Sequence, residues 1–310
     1  MRTIRRTVVA LLFILPLAPG GWGGDGSHAI AGAQERVVEQ HDWSDPEGRI
    51  MGFYSAALAF SPVGIEAGGA PWSGVLGLEL SLIPPLSGEH RSAGGAKTQS
   101  TNLAPLLPRP RLAVVLPGRL LMELSWVPPV RAFDVTANLW AASLSLPIAE
   151  FRSVTVAPRI AGAGGTVTGA ITCNDDLRSN GGGDSLYFNY ICHDRESRDR
   201  FEPTAVSGEL IGYRRLGERR LTPYAGLGVR REWNRFVVGV FNFDGTPDPN
   251  HAILEMDVTR AYGFAGVSWT LPRSTVLSGE LFYAPGSLLT LRLQGGLRFG
   301  SWNNMAGAAH

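Results

Sequence analysis

Three glutamates of this chain stand in nearly the same local setting. Met122-Glu-Leu-Ser-Trp-Val-Pro-Pro129 matches Leu78-Glu-Leu-Ser-Leu-Ile-Pro-Pro85, and Glu280-Leu-Phe-Tyr-Ala-Pro285 is a looser third copy. In each, a glutamate (Glu79, Glu123 or Glu280) precedes a proline by five residues. In extended chain, at about 3.3 Å per residue, that spacing sets the three carboxylates at a similar depth below a common rim. Carboxylates placed so could line an acidic constriction, or they could pair with arginines of adjacent segments such as Arg292 and Arg298. Side chains largely fill a closed sheet of about ten strands, which favours pairing over a pore. The proline pairs are expected to end strands, because proline cannot donate to a ladder.

Cys173 and Cys192 are the only cysteines and flank one polar run. In an oxidising compartment such a pair forms a disulfide. With His193 and Asp194 they fall short of a tetrahedral metal set. Asp175, Asp176 and Asp184 lack the fixed spacing of a calcium loop and are read as solvated. No metal or other cofactor is expected. The six histidines lie away from strand centres, and only His251 stands where a strand-end catalytic residue could be. With no local acid or nucleophile beside it, no catalytic constellation is expected and the chain is not read as an enzyme.

The elements that carry these residues are mostly extended. Leu76, Leu78, Leu80 and Leu82 alternate with Gly77, Glu79 and Ser81; Leu120, Met122, Leu124 and Trp126 alternate with Glu123 and Ser125. Leu289, Leu291, Leu293, Leu297 and Phe299 alternate with Thr290, Arg292, Gln294 and Arg298. A period of two marks strands with one apolar face. Weaker versions over 110–117, 131–146, 153–163, 204–214, 221–231, 253–269 and 275–284 complete a set of ten. Ahead of them, Ser44-Asp45-Pro46-Glu47 is a helix-start signature, followed by Ile50, Phe53, Tyr54, Ala57 and Leu58 at helical spacing. This predicts a short amphipathic helix over 46–60, with a strand over 51–60 as the competing reading. Residues 34–45 are polar and read as flexible.

Only 18% of residues are charged, against about a quarter in soluble domains. After the first residues no run of eighteen apolar residues could cross a bilayer as a helix. The net charge is +1, and the arginines are scattered, which argues against a nucleic-acid partner. Connections alternate between short (117–118, 147–152, 216–220, 270–274) and long (84–109, 165–203, 232–252), as in a transmembrane barrel with short inner turns and long outer loops. Two on the outer side, 128–130 and 285–287, are short, so the alternation is imperfect, though an even strand count satisfies it. With the leucine face outward, Glu79, Glu123, Glu209, Glu255, Asp257 and Glu280 point inward, together with Arg111, Arg119, Arg159, Arg230, Arg292 and Arg298. A soluble sandwich with a solvated polar face would give the same alternation. The aromatics favour the membrane: Trp126, Trp233 and Tyr283 fall at outer strand ends and Trp72, Trp269 and Phe299 at inner ends, as in the belts at lipid–water boundaries.

The N-terminus reads as an export signal. Arg2, Arg5 and Arg6 precede the apolar stretch Val8–Ala18, and Ala31-Gly32-Ala33 is a small-residue cleavage site, with Ala18 as the other candidate. This signal, the alternating strands and the last strand, Leu289 to Phe299, resemble Gram-negative outer-membrane β-barrel proteins over residues 73–299. A tail, Gly300–His310, departs from the usual ending at an aromatic residue. The expected organisation is a signal peptide (1–33), an N-terminal segment with the helix (34–72), an all-β transmembrane antiparallel barrel of about ten strands (73–299) and a tail (300–310). The resemblance implies an outer-membrane location, contact with membrane lipid and lipopolysaccharide, and handling by barrel-assembly machinery. It implies passage or capture of a small-molecule cargo, or a structural or surface-interaction role carried by the long outer loops.

Overall fold

The computed structural model describes residues 38–64, 69–86, 92–93, 97–98, 105–132, 135–175, 177, 182–216, 221–248, 252–271 and 274–300. The signal peptide, the tail beyond residue 300 and His251 lie outside them.

All ten expected strands form, and they close on themselves. They are β1 (Gly74–Leu82), β2 (Leu106–Val115), β3 (Leu121–Ala132), β4 (Val135–Ser145), β5 (Val154–Gly169), β6 (Asp199–Tyr213), β7 (Leu221–Val237), β8 (Ile253–Thr270), β9 (Thr275–Ala284) and β10 (Leu288–Phe299). Each pairs antiparallel with the next in sequence, and β10 pairs with β1 from Leu291↔Leu82 to Phe299↔Gly74, so the meander is a barrel without a free seam. The three long connections share one rim, taken as outer, with the short ones between β3 and β4 and between β9 and β10; the remaining turns share the other rim with the start of β1 and the end of β10.

Strand lengths exceed the sequence expectation where turn-forming residues had suggested an end. β2 begins at Leu106 and carries Pro108 and Pro110 within it. β3 continues past Pro128 and Pro129 to Ala132, with a register shift between Val127 and Val130 absorbing the pair. Those prolines make a bulge and do not end the strand. In β5 the chain passes through Gly165 at φ 141°, where a side chain would meet Asn138 O at 2.1 Å, so only glycine fits this crossing.

The leucine faces point outward. Leu76, Leu210, Leu227, Leu281, Leu293 and Leu297 are exposed, as are Trp126, Trp140, Trp233 and Tyr283 toward the outer rim and Trp72, Trp269 and Phe299 toward the inner one. The interior holds buried glutamates and arginines. An apolar outside with a charged inside is the inverse of a soluble domain and makes this a transmembrane barrel of the outer-membrane type. Among the described residues no helix is long and apolar enough to cross a membrane.

The segment before β1 fills the lumen. Val38–Gln40, expected to be flexible, pairs in parallel with Ile253–Glu255 of β8 at the outer rim. The helix α1 follows at Pro46–Ala57, shorter than the expected 46–60, and no strand forms there. It buries Met51 against Phe201, Phe236 and Met256, and Phe53, Ala56 and Ala57 against Phe264, Phe282 and Leu288. Residues 58–64 then descend through the barrel, and Ser73 leads into β1 at the inner rim.

Candidate functional site

Each of the ten strands sends one polar side chain inward at a common level. Alternation along a strand puts every second residue inside, and the shared register of the meander brings these positions into a ring. Arg111 (β2) donates to Glu79 (β1) at 2.7 Å and to Glu123 (β3) at 2.9 Å. Glu123 also accepts from Ser143 (β4) at 2.8 Å and from Arg159 (β5) at 3.0 Å, and Arg159 donates to Glu209 (β6) at 2.8 Å. Tyr262 (β8) donates to Glu209 at 2.5 Å, and Tyr224 (β7) to Glu280 (β9) at 3.2 Å. Ser61 of the lumen segment donates to Glu280 and accepts from Arg292 (β10) at 2.5 Å.

Nearer the outer rim lies a partial second tier. Arg260 (β8) makes a two-oxygen contact with Glu232 (β7) at 2.9 Å, and Arg230 Nε lies 3.5 Å from the same carboxylate. Arg109 (β2) stands 3.9 Å from Glu79, behind the closer Arg111.

The ring also grips the chain that runs through it. Arg109 donates to Leu58 O and Ala59 O, Arg111 to Ser61 O, Arg159 to Phe60 O, Arg260 to Gly52 O, and Arg292 to Ala59 O and Ala56 O. Apart from Gly52 O in the middle of α1, these oxygens belong to its last turn and the turn beyond it, where a helix leaves carbonyls short of partners and carries partial negative charge. There the guanidiniums satisfy acceptors with the favoured sign of charge. Phe60 sits among three of them, with Arg111 at 4.4 Å, Arg159 at 5.0 Å and Arg109 at 5.8 Å from its ring centre. Gly228 in β7 keeps the ring closed: a side chain there would meet the Tyr262 ring at 2.6 Å and Glu209 Cγ at 2.9 Å.

Of the residues singled out from the sequence, Glu79, Glu123, Glu280 and Arg292 fall in this ring. Arg298 faces inward lower down, half-buried, and bonds Thr270 Oγ1 at 2.6 Å near the inner mouth, away from the others. Three expectations about direction fail. Arg119 is exposed in the turn Pro117–Arg119. Asp257 lies outside, paired with exposed Arg231 at 2.9 Å, and Glu255 pairs with Arg235 at 3.6 Å. At that end β8 stands beyond β9, above the lipid, so water wets its outer face and polarity no longer reports direction. The same misreading hid Arg260, and premature strand ends left Arg109 and Glu232 in presumed loops. Their alternation with Arg111 and Arg230 was the available signal.

Cys173 and Cys192 form a disulfide with Cα atoms 5.7 Å apart, packed with Leu177 and Phe188 of the 170–198 connection, which carries helix α2 (Gly182–Tyr190). Asp199 ties the base of this loop to its neighbour, accepting from Ile171 N at 2.8 Å, Thr172 N at 2.5 Å, Ser197 Oγ at 2.7 Å and Gly239 N at 2.8 Å. In the 238–252 loop, hydrogen bonds from Thr246 hold the Asp244 carboxyl below its ordinary range. Asp175 and Asp184 lie in the longer loop, while Asp176 is outside the described residues. Among the described residues no cluster of His, Cys, Asp or Glu could hold a metal ion.

No known protein family and no curated protein matches the chain. Among solved structures, Ail, the attachment invasion locus protein of Yersinia pestis, overlaps 74% of this chain and 100% of its own at 10% identity and a TM-score of 0.29. The Pseudomonas putida toluene transporter TodX overlaps 85% of this chain and 78% of its own at 11% identity and a TM-score of 0.31. Overlap at this level says nothing about activity.

Proposed function

We propose that the protein is a plug-gated outer-membrane barrel, closed at rest, which passes or captures a small molecule when the lumen segment shifts. The observation that supports this is a division of labour among the polar contacts. The wall's carboxylates bond wall arginines and hydroxyls, with Ser61 joining the Glu280–Arg292 pair. The segment from Ile50 to Gly64 carries no charge and offers only carbonyls, hydroxyls and one backbone amide. Such a plug can move without carrying a charge of its own through the membrane, and the arginines that it releases, Arg109, Arg230 and Arg292, are left on a wall that is polar and wettable. Removing one member of a buried ion pair would instead cost about 3–5 kcal/mol.

Conductance in planar bilayers tests the reading. Wild-type protein should show a closed baseline with brief openings, and Phe60→Ala, which empties the centre of the arginine cluster, should lengthen them. Silence in both would discard gating. That result would favour the second reading, an interaction protein acting through its outer loops, which is supported by the disulfide-pinned loop and by Tyr190, Ile191 and Phe243 exposed there.

A further inference from the structure

Arginine is placed differently at the two rims. On the outward faces of β6 and β7 at the outer rim each arginine has a carboxylate: Arg200 has Glu202 at 2.8 Å, Arg231 has Asp257 at 2.9 Å and Arg235 has Glu255 at 3.6 Å. The inner turns expose Arg119, Arg152, Arg214 and Arg215, and among the described residues of those turns Glu150 is the single carboxylate. Arg119 and Arg152 are held at φ 67° and 48°, in the left-handed region that suits glycine or asparagine and disfavours arginine. Two long cations thus stand at turn tips that backbone preference does not recommend.

The four side chains share one sector of the rim. β5 and β6 stay paired down to Thr155↔Tyr213, so the 146–153 turn of Arg152 stands beside the turn that begins at Arg214. The Tyr213 side chain is within electrostatic reach of Arg119, Arg215 and Glu150, which brings the β2–β3 turn into the same sector. Exposed Ile148, Phe151 and Leu216 stand among the arginines, and Arg152 lies 5.1 Å over the Phe151 ring. Leu216 bridges to Leu221, whose neighbour on β8 is Trp269 of the inner aromatic belt. That places the cluster at the lipid–water boundary.

We propose that this sector of the inner rim is a docking surface for the phosphodiester headgroups of anionic glycerophospholipids. Ile148, Phe151 and Leu216 sit in the edge of the hydrocarbon, while the arginines lay their aliphatic stems on that apolar surface and extend their heads to the phosphates. A guanidinium presents paired donors that match two phosphate oxygens. A zwitterionic headgroup brings its own cation to the phosphate, so the excess of arginine over Glu150 selects a headgroup with net negative charge. An acidic protein or a free phosphate would answer the charge but would leave the three apolar side chains without a partner of their own kind.

The test uses the full chain reconstituted in phosphatidylcholine vesicles, with spin-labelled phosphatidylglycerol or spin-labelled phosphatidylcholine as the probe. Electron spin resonance reads the fraction of each lipid held motionally restricted against the protein. One arginine beside an anionic surface contributes about fivefold in association, so phosphatidylglycerol should be preferred by about that factor or more. The combination Arg119→Asn, Arg152→Asn, Arg214→Gln and Arg215→Gln should abolish the preference and leave the heat-induced gel shift in place, since asparagine suits both left-handed turns. Equal restriction of the two lipids by the wild-type protein, or a preference that the variant retains, overturns the proposal. Loss of the preference when millimolar inorganic phosphate is added at constant ionic strength also overturns it and assigns the arginines to a free anion. Should the fourfold variant not fold, Arg119→Asn with Arg152→Asn replaces it: a reduced preference supports the surface and an unchanged one overturns it. None of these readouts involves conductance, so this surface and the gating reading can fail separately.

Discussion

Glu280 and Arg292 occupy directly opposed positions on β9 and β10, and Ser61 of the plug joins them by donating to one and accepting from the other. The three-residue connection Pro285-Gly286-Ser287 between the strands sets this register, and the third partner comes from outside the hairpin. All three side chains are buried. Glu280→Ala and Arg292→Ala should each cost about 3–5 kcal/mol, because each leaves an uncompensated charge. The double mutant should cost much less than the sum. Unfolding in urea and detergent measures this, and strict additivity would show that the two residues do not act as a unit.

Phe60 should contribute through its ring electrons as well as its volume. Phe60→Leu keeps an apolar side chain but removes the face presented to Arg109, Arg111 and Arg159. Desolvated contacts of this kind are worth about 2 kcal/mol. An unfolding free energy equal to wild type would mean that the arginines gain nothing from the ring.

The disulfide should act on the outer loop and leave the barrel wall alone. Cys173→Ser should leave the heat-modifiable barrel intact while making the 170–198 loop sensitive to added protease, since closing a loop of this size stabilises by about 3 kcal/mol in the chain-entropy account. Cleavage in the loop without loss of the folded gel band is the expected result. Loss of the whole barrel would show that the bridge supports the wall.

Gly228 and Tyr262 should be coupled. Gly228→Ala forces the Tyr262 ring off Glu209 and should cost about 1–3 kcal/mol as overpacking. In a Tyr262→Ala background the same substitution should be nearly silent. Equal costs in both backgrounds would place the clash elsewhere.

The lipid face can be tested at Leu227, which is 73% exposed on β7. Leu227→Arg should destabilise folding into bilayers by about 2–4 kcal/mol. Thr259→Arg, on the outward face of β8 beyond the end of β9, should cost little. Similar costs at both positions would contradict the assigned membrane boundary.

The barrel was legible because lipid on one side and polar contacts on the other impose a strict period of two, and Leu76–Leu82 and Leu289–Phe299 carry it without exception. Legibility failed where that contrast fades. Above the membrane, water rather than lipid meets the outer face of β8, so Glu255 and Asp257 gave the wrong direction and Arg260 went unnoticed. Pro128 and Pro129 read as a stop because sequence shows the missing donor but not the bulge that accommodates it. The plug could be anticipated as a helix from Asp45-Pro46. Its hold on the arginines could not, since the acceptors are backbone carbonyls, which every residue has and no sequence pattern distinguishes.

Because Val38–Gln40 lies at the outer rim and β1 starts at the inner one, the polypeptide passes lengthwise through its own enclosure, like a cord through a bead. A cork could be fitted after the bottle is made, but a cord with side chains as large as Phe53 and Phe60 cannot be drawn through a bore of this width. Some pair of neighbouring strands must therefore close after residues 41–64 already lie where the bore will be. The segment is the mandrel around which the wall closes, and its contacts with Arg109, Arg111, Arg159 and Arg292 hold the two together.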